Sequence, residues 1–98
     1  MARLKPLFRQ LIEQLPGANI ISSQQTEYYS ATFAGVQTQI DIFLPGENAQ
    51  ERAADFKDSL PHAEFALSRT IVADILVSEI TEHVAGCNLK IEALLLDD

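Results

Sequence analysis

Hydrophobic and polar positions alternate most strictly over Val36 to Leu44. Val36, Thr38, Ile40, Ile42 and Leu44 fall on one side of an extended chain, and Gln37, Gln39, Asp41 and Phe43 on the other. Such alternation fits a strand with one face in a core and one facing water. Just upstream, Tyr28, Tyr29, Thr32 and Phe33 favour a pleated surface. Ala34-Gly35 then offers a residue tolerant of positive φ where the chain must reverse. The pattern predicts a β-hairpin across Glu27 to Leu44, turning near Ala34-Gly35.

A different period runs through the N-terminal segment. Leu4, Leu7, Phe8, Leu11, Ile12 and Leu15 make one helical stripe, with Arg9, Gln10, Glu13 and Gln14 off it. Pro6 is tolerable only in the first turn, and Pro16-Gly17 stops the helix. Ala18 to Gln24 reads as a short strand carried by Ile20 and Ile21. After Pro45-Gly46, Asn48 and Glu51 have the spacing of a capping box. The helix that follows uses Ala49, Ala53, Phe56 and Leu60, a thin stripe suited to a sheet edge. Pro61 ends it, and His62 to Leu67 reads as another strand with Phe65 inward.

Thr70 to Ala85 fits two periods. As a helix it has Val72, Leu76, Ile80 and Val84 at i+4 steps, with Gly86 where a C-cap belongs. As a strand it has Ile71, Ala73, Ile75 and Val77 on one face, and its many β-branched residues favour that reading. Leu89 to Leu96 is the last strand, with leucines on both faces suiting a central or covered position.

Two echoes tip the balance toward strand. Leu15 to Ile20 is echoed by Leu60 to Phe65, and Gln39 to Leu44 by Lys90 to Leu95. If these are equivalent, Ile71 to Ile80 corresponds to Thr26 to Gly35, with a longer turn around Thr81 to Gly86. The expected fold is therefore one α+β domain over residues 1–98, a mostly antiparallel sheet of about six strands with two helices. Its order is αβββαβββ, an internal repeat of one helix and three strands. The alternative makes residues 70–85 helical and gives a βαβ C-terminal half.

Composition narrows the setting. Of 98 residues 47% are hydrophobic, enough for one core without disulfides. The single cysteine, Cys87, has no internal partner, and MARLKPLFRQL lacks the apolar run of a signal peptide. A cytoplasmic location is expected. Charge is uneven: residues 1–40 hold three basic and two acidic side chains, while residues 41–98 hold four against twelve. A net charge of −7 disfavours nucleic acid, and a charged partner is expected to be basic. Arg3, Lys5 and Arg9 could let the first helix lie on a membrane, but three cations beside an acidic chain are few, and no membrane contact is expected.

Candidate chemistry is sparse. Glu79, His83 and Cys87 could meet on one helical face as metal ligands, or His83 could activate Cys87. In a strand the three spread over roughly 27 Å, so no metal or cofactor is expected. His62 beside Glu64 and Asp74 within IVADILV read as solvated side chains. No phosphate loop, nucleotide fingerprint or nucleophile elbow occurs. Tyr28 and Tyr29 send their rings to opposite faces, so one is displayed. With the two-sided run Leu94, Leu95 and Leu96, they mark a partner surface at Tyr28, Tyr29, Leu94 and Leu96. In element order alone the chain resembles the small acidic chaperones of secretion systems. The expected function is a non-enzymatic protein-interaction domain (adaptor, chaperone-like or inhibitory) that pairs as a homodimer or with another protein. The competing reading is a small-molecule site or enzyme between sheet and helices.

Overall fold

The computed structural model describes residues 4–98. The first apolar stripe folds as helix α1, Lys5–Gln14, with Pro6 in its first turn and Leu4, Leu7, Leu11 and Leu15 buried. Two long strands follow, β1 (Asn19–Tyr29) and β2 (Ala34–Pro45). Helix α2 spans Ala49–Ser59 and buries Ala49, Ala53 and Phe56, then tightens into a 3₁₀ turn over Leu60–His62. Strands β3 (Thr70–His83) and β4 (Gly86–Asp97) complete the chain. All four strands form one antiparallel sheet in the order β1-β2-β4-β3.

The sheet has four strands, not six, and the order is αββαββ. Residues 18–24 and 27–33 do not form two strands; Asn19–Tyr29 is one, paired with β2 along its length apart from a bulge at Ile21. Its reversal lies at Ser30–Phe33, earlier than Ala34-Gly35, and is closed by the Ser30 N–H donating to the Phe33 carbonyl (2.8 Å). The strand expected over residues 62–67 does not form: His62 closes the 3₁₀ turn, and residues 63–67 have no strand beside them. Ala63, Phe65 and Leu67 turn partly inward, and the Gln10 side-chain amide takes the place of a strand. It donates to the Ala66 carbonyl (2.9 Å) and accepts from the Ala66 N–H (3.0 Å). Asn48 stands at the N-cap of α2 without the side-chain hydrogen bond of a capping box. Thr70–His83 is a strand, which removes the helical alternative and the βαβ half.

The repeat of one helix and three strands is absent, as is the element order shared with secretion chaperones. The register shows a two-fold relation of a smaller unit. Ile40 pairs with Ile91, and Gly35 with Leu96 as Pro45 with Gly86. Shifting β2 forward by 51 positions lays it on β4 and maps this pairing onto itself about Ile40–Ile91. Gly35 and Gly86 are equivalent under this shift. A Cβ on Gly35 would run into the Leu95 carbonyl, and one on Gly86 into the Leu44 carbonyl. Close approach of backbones, rather than a turn, calls for glycine at position 35.

One face of the sheet is covered. Rows of paired residues cross it: Val36–Leu95–Val72, Thr38–Ala93–Ile75, Ile40–Ile91–Val77 and Ile42–Leu89–Ile80. Every member on β2 and β4 is buried, and α2 lies over β4 and its neighbours. Strand β3 stays in these rows through bulges at Ala73 and Ser78, which each reset the alternation. Its inward set is thus Val72, Ile75, Val77 and Ile80, a spacing of three, two and three.

Candidate interaction surface

The second face of the sheet carries no helix, and none of its side chains is buried. Alternation along each strand decides who stands there. The register places Tyr28, Gly35, Leu96 and Ile71 in one row, followed by Thr26, Gln37, Leu94 and Asp74. Next come Gln24, Gln39, Glu92 and Leu76, then Ser22, Asp41, Lys90 and Glu79. At the far end stand Asn19, Phe43, Asn88 and Thr81. A row of four strands spans about 14 Å at ordinary strand spacing.

Apolar side chains gather at one end of this face. Tyr28, Leu94, Leu96 and Leu76 are half-buried and Ile71 is exposed, although nothing among the described residues lies over any of them. Three of the four residues expected in a partner surface, Tyr28, Leu94 and Leu96, lie within two adjacent rows. Tyr29 stands apart, on the opposite side of β1 and 71% exposed. Simple alternation puts Ile71 on the same face as Ile75 and Val77 and does not anticipate the bulge at Ala73, which brings Ile71 and Leu76 onto the uncovered face.

The rest of the face is polar and acidic. It carries Asp41, Asp74, Glu79 and Glu92 against one cation, Lys90. Lys90 lies 3.7 Å from Glu79, and the Ser22 hydroxyl donates to Asp41 (2.9 Å). Exposed pairs of this kind contribute little to stability. Charge is segregated on a larger scale too. The four strands hold seven carboxylates against Lys90 alone, whereas α1 and α2 together hold four cations and four carboxylates.

The other candidates disperse. Glu79 and His83 stand on the uncovered face and Cys87 on the covered one, so the suggested metal set does not form. Among the described residues no three His, Cys, Asp or Glu side chains gather as metal ligands. Cys87 is fully buried, and burial first, then the nearby Glu82 carboxylate, push its thiol above the usual range. A thiol held protonated is a poor nucleophile. His83 packs edge-on against Phe43, with ring centres 5.4 Å apart, and its Nδ1 accepts from the Ala85 N–H (3.1 Å). That geometry ties the imidazole to the β3–β4 turn. His62, Glu64 and Asp74 are exposed. The Tyr29 hydroxyl donates to Glu27 (3.2 Å), and this bond, followed by the carboxylate's charge, raises the phenol above its ordinary value.

On the helix side an open cleft between α1 and α2 is lined by Gln14, Arg52, Asp55 and Ser59, with the Arg52 guanidinium donating to the Pro16 carbonyl (2.6 Å). Aliphatic side chains fill the space between helices and sheet, and Thr38 is the buried polar residue there, its hydroxyl donating to the Gln24 carbonyl (3.2 Å). Leu7 and Leu11 are spent in this core, and Lys5 and Arg9 stand exposed outside it. Arg3 lies outside the described residues. No helix among the described residues is long and apolar enough to cross a membrane. Set against protein-family models, curated proteins and solved structures, the chain matches none.

Proposed function

We propose that this chain is a non-enzymatic, cytoplasmic protein-interaction domain that receives a basic, amphipathic segment of another protein on the uncovered face of its sheet. One observation carries the reading: an apolar strip, Tyr28, Leu96, Ile71, Leu94 and Leu76, is set into a face whose charges are four carboxylates and one lysine. Apolar side chains of the partner lie on the strip, and its cations meet Asp74, Glu92 and Asp41. Apolar contact supplies affinity, while the acidic surround selects sign and speeds encounter. A small-molecule site between sheet and helices has little to recommend it, because that space is filled with aliphatic side chains. The lone, buried Cys87 suits a reducing compartment. Adaptor, chaperone-like and inhibitory roles all use such a surface.

Calorimetry with a synthetic peptide of alternating lysine and leucine tests the proposal. The wild-type chain binds it, more weakly as salt rises. Leu94→Asp together with Leu96→Asp weakens binding at least about tenfold, as expected for removing central apolar anchors. Binding that ignores both substitutions, or that an acidic peptide of the same pattern matches, contradicts the proposal.

A further inference from the structure

Strand β1 ends the sheet with an edge that nothing among the described residues covers. It pairs with β2 alone, and none of its eleven residues is buried. The helix layer sits over β2, β4 and β3, so both faces of β1 from Ser22 onward are open. A ribbon without a buried face is marginal in water, and a free edge is a template for another strand. The opposite edge, β3, is bulged twice and carries Asp74, Glu79 and Glu82, devices that discourage pairing. Past its bulge at Ile21, β1 is regular over eight residues, with one charge, Glu27, and neither lysine nor proline.

We propose that two copies of this chain join edge to edge through β1, antiparallel about Gln25, into one eight-stranded sheet. The composition of the strand selects the occupant and the register. Of the five large apolar side chains exposed among the described residues, Ile21 and Tyr29 lie toward the two ends of this edge. Centring the dyad on Gln25 sets Ser22 of one copy opposite Tyr28 of the other and brings the bulged Ile21 to the end of the ladder, next to Tyr29 of the other copy. Glu27 then faces Ser23, and the two Glu27 carboxylates stand about 14 Å apart along the strands, beyond the screening length of about 8 Å at physiological salt. Paired residues share a face, so both helix layers fall on the same side. They do not collide, because β1 lies outside each layer. The two uncovered faces become continuous. Seven carboxylates on each sheet against Lys90 repel across the dyad, so salt tightens the pair, opposite to its effect on a basic partner. The dimer uses an edge rather than the uncovered face, so it stands or falls independently of the partner site.

Sedimentation equilibrium of the full chain at several concentrations and two ionic strengths tests the proposal. The wild type forms a dimer that salt strengthens. Gln25→Lys and Gln25→Glu each weaken it about fivefold, the upper range for like charges set directly opposite. An equimolar mixture of the two variants restores association. Gln25→Cys, with backbones about 4.5–5.5 Å apart at the dyad, forms a covalent dimer on mild oxidation, while Gln37→Cys in the middle of the sheet does not. Gln25 is exposed, so these variants keep the fold, which circular dichroism verifies. A monomer at every concentration overturns the proposal. So does a dimer that both charge variants leave intact, or one broken by Leu94→Asp instead.

Discussion

Strands β1 and β3 hold equivalent places at opposite edges of one sheet and are stabilised differently. Each pairs with one of the two central strands, and each is longer than ten residues. β3 turns Val72, Ile75, Val77 and Ile80 toward the helices. β1 turns Ser23, Gln25 and Glu27 to the same side and meets no helix. β3 is therefore fixed by burial and the hydrogen-bond ladder together, β1 by the ladder with a small apolar contact at Ile20. The lesson is that coverage by the helix layer, more than pairing, sets how firmly a strand is held. The less secured strand is also the one free to engage a second molecule.

Substitutions along this contrast should differ in size. At the centre shared by both halves, Ile40 is fully buried, and Ile40→Ala costs about 2–5 kcal/mol in chemical denaturation. A loss below about 0.5 kcal/mol would mean the faces of β2 are reversed. The sharpest comparison sets the two edges side by side. Val77→Ala on β3 removes two buried methyl groups and costs about 2 kcal/mol. Ser23→Ala, at an exposed position on β1, changes stability by less than about 0.5 kcal/mol. Equal costs would dissolve the distinction between the strands.

Smaller effects test the strand ends. Arg69, at the entrance to β3, holds φ at 56°, a left-handed conformation unfavourable for a side chain with a Cβ. Arg69→Gly relieves that cost against a looser unfolded chain, for a net gain of about 0.5 kcal/mol in the same denaturation measurement. At the end of β1, the neutral Tyr29 phenol is favoured by its bond to Glu27, so it titrates above its ordinary value. The contribution is present below the unfolded phenol's pKa and is lost as pH rises through the raised folded value. Glu27→Gln lowers the Tyr29 midpoint in an ultraviolet titration. An unchanged midpoint would remove Glu27 as the cause.

Much of the architecture could be read from residue periods, and the failures share a physical origin. Val36 to Leu44 alternates, and its inward members are all buried. The stripe of α1 and the thin alanine stripe of α2 lie where their spacing put them. The continuity of β1 is hidden because Ser22 to Glu27 is polar on both sides, and a strand without an apolar face has no period to detect. Residues 63–67 do alternate, but they pack on the core through Phe65 and Leu67 while Gln10 satisfies the backbone, a role no local pattern reveals. The ambiguity over Thr70 to Ala85 arose from two bulges, which give its inward residues a mean spacing between those of strand and helix. Those bulges also hid Ile71 and Leu76 from the apolar strip, while Tyr28, Leu94 and Leu96 could be named from strand geometry.

The partner face is tested most directly by mapping where a basic amphipathic peptide lands. In titrations of the ¹⁵N-labelled chain followed by backbone chemical shifts, the account predicts changes centred on Gln37, Asp74, Leu94 and Leu96, diminishing as salt is added. Changes confined to α1 and α2, or no changes at all at low ionic strength, would contradict it.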